Sequence, residues 1–192
     1  HHHAHIASCL AEHNIDNEVI GVSFDGTGYG TDGNIWGGEF MIADMAGFRR
    51  YSHFDSVAMP GGEKAVKEPW RMALSYLWKY YGEDFDYLSL PLFKSIDNDR
   101  LETVINMIGN QVNCPLTSGA GRLFDAVAAI LGLCPEETFD AEAPMRLESV
   151  IKSRTDKYYP FTIGEKVVFS EMLKAIIKDM GILSKSDIAA KF

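Results

Sequence analysis

The sequence predicts an α/β fold, in which a helix and a three-stranded β-meander are followed by a mostly helical region. Three apolar segments joined by short turns lie between residues 19 and 54, as in an antiparallel meander. From residue 59 onward, apolar residues recur at helical spacing instead, most regularly between residues 118 and 133. We therefore divide the chain into a part of about residues 1–58 and a part of about residues 59–192.

The first part begins with a predicted helix over residues 2–13, and we expect Cys9 to be buried in its apolar stripe. Three predicted strands follow, over residues 19–24, 35–43 and 48–54. The first of them is interpreted as a buried strand. Glycines between residues 25 and 33 predict a tight turn, because glycine allows positive φ and close backbone approach.

Helices account for most of the second part. Pro69 divides the first helical stretch, which ends at Tyr81, since proline suits the first turn of a helix and disrupts its interior. Residues 82–91 form an irregular acidic segment. Ser170 and Ser186 are the predicted N-caps of the last two helices. The remaining predicted elements are helices over residues 98–109, 118–133, 141–154, 170–180 and 186–192, and a strand over residues 167–169.

Composition excludes several classes of protein. The 192 residues carry a net charge of −9, which argues against a nucleic-acid partner. No apolar run approaches the ~20 residues of a membrane span. Only three cysteines occur, none in a CxxC pair, which is typical of a reducing compartment. We therefore expect a cytoplasmic protein that binds neither nucleic acid nor a membrane.

The first five residues, HHHAH, contain four of the six histidines. On a helix, His1 and His5 lie one turn apart, and two imidazoles at this spacing can bind one metal ion. A remnant of a purification tag is the alternative, although the run continues into the helix without a linker. Two histidines do not complete a metal site, so at least one further ligand, in our prediction a carboxylate, must come from elsewhere.

A glycine-rich segment, FDGTGYGTDG, follows the first predicted strand. Its backbone N–H groups and the Thr27 hydroxyl are suited to phosphate oxygens, and Asp25 is placed to hold a metal or to orient a nucleophile. The segment lacks the GK[ST] ending of a Walker A loop and does not open a helix, so a simple tight turn is the alternative.

Two further motifs carry weaker signals. In SGAGRLFDAVAAILG, a helix start exposes N–H groups that favour an anion, and Asp125 lies one turn further on, where an ordinary surface Asp is the alternative. In MPGGEKAVKEPWRMA, the cations Lys64, Lys67 and Arg71 could clamp a phosphate or a carbamate. A solvated first helical turn explains them equally well.

Taken in order, these motifs resemble the HypF family, carbamoyltransferases that mature nickel–iron hydrogenases. The strings that carry the resemblance are HHHAH, DGTGYGTDGNIWGGEF, PGGEKAVKEPWRMA and SGAGRLFDAVAAILG, and it extends from His1 nearly to Phe192. The region is similar to the TsaD family of tRNA threonylcarbamoyl-transfer enzymes and to antibiotic O-carbamoyltransferases. The resemblance implies an actin/hexokinase/Hsp70-like (TsaD-like) fold, of which this chain would hold a part.

The resemblance also implies roles for individual residues. His1 and His5 stand where the related enzymes bind a divalent metal, which would be iron, zinc or magnesium. Asp25 takes the catalytic position. The implied nucleotide-binding residues are Gly26, Thr27 and Gly28 in a phosphate loop and Gly121, Asp125 and Glu142 near the ribose.

The family's chemistry is implied in the same way. Another domain converts ATP and carbamoyl phosphate to carbamoyl-adenylate, and the region present here passes the carbamoyl group to the C-terminal cysteine of a partner protein, HypE. The implied partners are therefore ATP, carbamoyl phosphate, HypE and the other domains of HypF. Because the HypE thiolate is the nucleophile, Cys9 need not react.

Two departures limit what the resemblance implies. Ala141 stands where the family usually has glycine, close to the expected contact of Glu142. A later adenine-binding motif resembling SGGVFQN, and a later Asp that completes the metal site, do not occur before Phe192. We therefore expect a fragment that is inactive alone and binds ATP weakly. A non-catalytic scaffold of the same fold and a small-molecule O-carbamoyltransferase are the alternatives.

Overall fold

A seven-stranded mixed sheet organises the chain, and the computed structural model describes residues 1–192. The strands are β1 Val19–Tyr29, β2 Ile35–Ala43, β3 Phe48–Phe54, β4 Val57–Ala58, β5 Leu116–Thr117, β6 Thr162–Ile163 and β7 Lys166–Val168. The helices are α1 His2–Glu12, α2 Lys64–Lys67, α3 Pro69–Tyr81, α4 Pro91–Lys94, α5 Asn98–Gly109, α6 Ala120–Ile130, α7 Glu142–Ser149, α8 Ser170–Asp179 and α9 Lys185–Lys191, with a 3₁₀ turn at Tyr87–Ser89.

Strands from both predicted parts of the chain join this sheet. β1, β2 and β3 form the expected antiparallel meander. β5 pairs in parallel with β2 where Thr117 lies opposite Ile35, and β7 pairs in parallel with β3. The start of α6, which follows β5 directly, is thereby held beside the meander.

Two apolar cores hold the helices. The larger centres on α3 and α6, where Trp70 and Tyr76 are completely buried. The smaller joins α1 to the meander through Ile6, Leu10, Trp36, Met41 and Ala43. Gly21 permits this close approach, because a Cβ atom at that position would lie 2.3 Å from Cδ1 of Ile6.

The predicted turn over residues 25–33 is wrong in its position. β1 continues through Asp25 and Gly28 to Tyr29, with an irregularity in its pairing between Phe24 and Gly28, and the turn follows Tyr29. The prediction of a buried first strand is also wrong, since the side chains of Ile20 and Phe24 are 76% and 58% exposed. Alternate residues of β1 face α1, and the opposite face carries these exposed apolar side chains.

The predicted helices are confirmed, with shifted ends. α5 and the break at Pro69 lie where the sequence predicts them, whereas α6 and α7 are shorter than predicted. Ser170 is the first residue of α8 rather than its cap. Ser184, not Ser186, caps α9 by accepting the N–H of Asp187. Elements of two to four residues (β4, β5, β6 and α4) were not predicted, because they are too short to show a periodic pattern.

Cys9 is exposed, so the prediction that it is buried is wrong. The buried residues of α1 are His2, Ile6 and Leu10, four residues apart, which form one narrow stripe. Cys9 lies beside that stripe and faces solvent.

Candidate functional site

His1, His5 and Asp25 meet at one point above the start of α1. Nε2 of His1 lies 2.9 Å from Oδ2 of Asp25, and Nε2 of His5 lies 3.2 Å from Nε2 of His1. One potential ligand atom from each of the three residues lies within 4.8 Å of the other two. The two predicted metal ligands and the predicted catalytic residue are thus adjacent.

The donor set fits a divalent metal. Two imidazole nitrogens and one carboxylate oxygen are ligands that zinc and other divalent transition metals use, and a three-residue set leaves a coordination position open. Asp25, which the sequence placed to hold a metal or to orient a nucleophile, provides a carboxylate next to the two histidines, and its role as a metal ligand remains a prediction. The helical spacing of His1 and His5 and the seating of α1 on β1 bring the three together.

His2 and His3 occupy different environments. His3 is fixed to the β2–β3 turn, where its Nε2 lies 2.8 Å from the carbonyl oxygen of Asp44 and its ring stacks on Phe48. His2 is buried beneath the site. Burial lowers the pKa of His2, against the opposing effect of the Glu39 and Asp25 carboxylates, and so favours its neutral form.

The glycine-rich part of β1 lies directly against the start of α6. A Cβ atom at Gly121 would stand 2.8 Å from Cα of Gly26, so position 121 must be glycine for the two elements to touch. From α6, Arg122 reaches back and donates from Nη1 to the hydroxyl of Thr27 over 3.3 Å. Gly26, Thr27 and Gly121 are therefore brought together.

Gly28, the third glycine-segment residue, is covered by histidine rings. A Cβ atom there would lie 2.3 Å from Cε1 of His2 and 2.7 Å from Cδ2 of His1. The absence of a side chain at Gly28 is thus explained by the rings that it admits, and its contact with a phosphate remains a prediction.

Asp125 and Glu142 make contacts within the protein. Asp125 is completely buried and its Oδ2 lies 2.7 Å from Nε of Arg122. Burial raises the pKa of Asp125 to about 7 in spite of this cation. Glu142 accepts hydrogen bonds from the backbone N–H and hydroxyl of Thr138, which lower the pKa of its carboxyl. A ribose contact for either carboxylate remains a prediction.

A buried network around Glu39 was not predicted from the sequence. Its carboxylate is completely buried and accepts from Nε of Arg50 over 2.6 Å and from the hydroxyl of Ser118 over 2.5 Å. Burial raises the pKa of Glu39, but these bonds outweigh that effect and hold it below its ordinary value. The one signal for this network is a glutamate in the otherwise apolar strand IWGGEFMIA.

The cations of the PGGEKAVKEPWRMA motif are paired with neighbouring carboxylates. Arg71 is buried and bonds to Glu68, and Lys64 lies 3.5 Å from the same carboxylate. Lys67 pairs with Glu63 over 3.1 Å. The charges of this cluster are therefore compensated locally.

Comparisons with known proteins place the chain among carbamoyltransferases. A model of the second subdomain of a carbamoyltransferase Kae1-like domain matches residues 21–192. The carbamoyltransferase HypF of Synechocystis is 38% identical over 195 residues, which covers 92% of this chain and 25% of that protein. The probable carbamoyltransferase HypF of Methanocaldococcus jannaschii is 42% identical over 151 residues, or 78% of this chain and 20% of that protein.

Solved structures of HypF proteins superpose on this chain. A full-length HypF in a phosphate- and nucleotide-bound form superposes with a TM-score of 0.91 at 39% identity and covers 100% of this chain, which matches 25% of that structure. HypF of T. kodakarensis superposes with a TM-score of 0.86 at 32% identity, over 98% of this chain and 26% of that one. The chain thus spans about a quarter of the length of these relatives. None of its helices combines the length and apolarity that crossing a bilayer requires.

Proposed function

The chain belongs to the HypF carbamoyltransferase family, and from this membership we propose that it forms the metal-holding part of a site that transfers a carbamoyl group. The observation that carries the proposal is the meeting of His1, His5 and Asp25 beside the glycine segment of β1. A structural role for the three would not require their nitrogen and oxygen atoms to converge.

We propose that His1, His5 and Asp25 hold a divalent metal. When bound, such an ion would supply a Lewis acid next to the carbamoyl carbonyl. The N–H of Gly26 is bonded to Asp25, so the backbone N–H of Thr27 and the N-terminus of α6 would face the phosphate of the nucleotide, where they stabilise negative charge. Arg122, at the Thr27 hydroxyl, would add a positive charge at the same edge.

The proposed reaction joins the carbamoyl group to sulfur. Carbamoyl-adenylate, made from ATP and carbamoyl phosphate by another domain, would be the donor. The thiolate of the HypE C-terminal cysteine would attack the carbamoyl carbon and form a carbon–sulfur bond. The bond from that carbon to the phosphate oxygen would break, and AMP would leave with the electron pair. No nucleophile from this chain is required.

A chimaera of Synechocystis HypF tests this proposal, with the aligned segment replaced by residues 1–192. Given ATP and carbamoyl phosphate, it should add one carbamoyl group to HypE, detected by intact-protein mass spectrometry. The same chimaera carrying His1→Ala and His5→Ala should not carbamoylate HypE. A chimaera carrying His13→Ala, the control, should carbamoylate HypE as the unsubstituted chimaera does. A folded chimaera that binds HypE without transfer would favour a scaffold. Transfer to a small hydroxyl compound instead of HypE would favour an O-carbamoyltransferase.

A further inference from the structure

His2 is enclosed in the protein without a hydrogen-bond partner. Its side chain is 1% exposed, and neither Nδ1 nor Nε2 has a partner. Buried polar groups in native proteins are normally paired, because an unpaired one loses its bonds to water without replacement. The position of His2 therefore requires an explanation that apolar packing does not supply.

The nearest carboxylate to the ring of His2 belongs to the candidate metal site. Nε2 of His2 lies 4.0 Å from Oδ2 of Asp25, whereas the other carboxylate oxygen, Oδ1, accepts the N–H of Gly26 over 2.6 Å. The ring fits in this place because residue 28 is glycine: a Cβ atom there would lie 2.7 Å from the same nitrogen. Since 4.0 Å exceeds a hydrogen bond, a shift of about 1 Å is needed to bring Nε2 of His2 into bonding distance of Oδ2 of Asp25.

His1 cannot serve both a metal and Asp25 through the same atom. Its Nε2 is the nitrogen within hydrogen-bonding distance of Oδ2 of Asp25 and also the atom that faces His5. If the lone pair of this Nε2 binds a metal, Nε2 of His1 carries no proton to donate. Nε2–H of His2 is then the remaining side-chain donor near Oδ2.

We propose that His2 is a positioning residue for Asp25: it donates Nε2–H to the Asp25 carboxylate and orients that carboxylate toward His1 and His5. The inference rests on the proposed function, because it takes Asp25 as a ligand of the metal. Metal-binding side chains are generally oriented by such outer hydrogen bonds, and loss of one typically lowers metal affinity about 10–100-fold. His3 is unsuited to this role, because its Nε2 is bonded to Asp44.

Two substitutions separate this role from simple packing. His2→Phe keeps an aromatic ring but removes the donor, and His2→Gln places an amide N–H near the position of Nε2. In the tag-free chain, we expect His2→Phe to raise the Kd for Co²⁺ about 10–100-fold and His2→Gln to raise it less. His13→Gln, at an exposed position of α1, is the control and should leave the Kd unchanged. A His2→Phe variant that binds Co²⁺ as tightly as wild type, and more tightly than His2→Gln, would overturn the proposal.

A metal-free measurement makes the two proposals separable. In imidazole ¹⁵N NMR spectra of the metal-free chain, His2 should be the Nε2–H tautomer. Its signals are identified by their loss in His2→Phe. They should shift in Asp25→Ala but not in the control, Asp16→Ala. A Nδ1–H tautomer, or signals insensitive to Asp25→Ala, would overturn the role of His2. Absence of Co²⁺ binding by wild type, with the expected NMR result, would instead overturn the proposed metal site and leave the His2–Asp25 bond established.

Discussion

Nε2 of His1 lies 2.9 Å from Oδ2 of Asp25, although 24 residues separate them in the chain. The contact exists because α1 is seated on β1, with Ile6 pressed against Gly21, so that the first turn of the helix stands over the middle of the strand. Small changes in this packing should therefore change the candidate metal site.

Gly37→Ala should disturb the site through the backbone of Asp25. A Cβ atom at Gly37 would stand 2.5 Å from the carbonyl oxygen of Asp25 and 2.9 Å from Cα of Gly119, and neither backbone can yield easily. We expect a loss of about 1–3 kcal/mol in the free energy of unfolding, as for other overpacked sites. Gly47→Ala is the control, since a Cβ atom at that position would have no neighbour within 4 Å. Urea denaturation measures both, and equal stabilities would contradict this packing.

Arg50→Met should destabilise the protein by leaving Glu39 buried without its cation. Removal of one partner of a buried ion pair typically costs about 3–5 kcal/mol, and we expect about 3 because Arg50 is partly exposed. Lys67→Met, which breaks the exposed pair with Glu63, should cost less than about 1 kcal/mol.

The cost of Arg50→Met should depend on pH in a defined direction. The folded pKa of Glu39 is lowered, so its contribution to stability is fully present above the unfolded value of 4.5 and is lost as pH falls through the lower folded value. The difference between Arg50→Met and wild type should therefore shrink in acid. A difference that stays constant from pH 7 to pH 3 would contradict the assignment.

Asp125 should give the opposite pH dependence. Its folded pKa is raised from 3.8 to about 7, so the folded protein holds a proton that the unfolded chain has lost between these values. Stability due to this group should fall as pH rises through that window, with a slope of at most about 1.4 kcal/mol per pH unit, and be constant above it. Asp125→Asn removes the titration, so the stability difference between the variant and wild type should change across this window. A pH-independent difference would contradict the raised pKa.

The three cysteines should react at different rates. Cys9 is exposed, whereas burial raises the pKa of the Cys114 thiol and raises that of Cys134 to about 11. Since the thiolate is the reactive form, iodoacetamide at pH 8 should modify Cys9 first. Peptide mass spectrometry identifies the order in which the cysteines are modified, and unfolding in urea should remove the differences in rate. Modification of Cys134 before Cys9 in the folded protein would show that the burial assigned here is wrong.

Local patterns in the sequence predicted the histidine pair and the main helices well. The spacing of His1 and His5 is a property of one helical turn, and the regular apolar stripe of α6 identifies that helix without any tertiary contact. The end of the first strand was misplaced, because a glycine that suggests a turn serves close packing instead: Gly28 admits the rings of His1 and His2.

Contacts between distant segments could not be predicted. Glu39 and Ser118 are 79 residues apart, and their hydrogen bond depends on β5 pairing beside β2. The burial of Asp125 depends in the same way on how α6 packs against α3 and α7. A pattern within one element shows which face is apolar, but not which polar side chain another element will cover.

Metal titration of the tag-free chain tests the central claim most directly. By isothermal calorimetry, wild type should bind one Zn²⁺ or Co²⁺ ion. His5→Ala and Asp25→Ala should each weaken binding by more than about 100-fold, because loss of a direct ligand should cost more than loss of an outer hydrogen-bond partner, which costs up to about 100-fold. His13→Ala, on the same helix but outside the three-residue cluster, should bind as wild type does. Equal affinity in wild type, His5→Ala and Asp25→Ala would contradict a metal site formed by His1, His5 and Asp25.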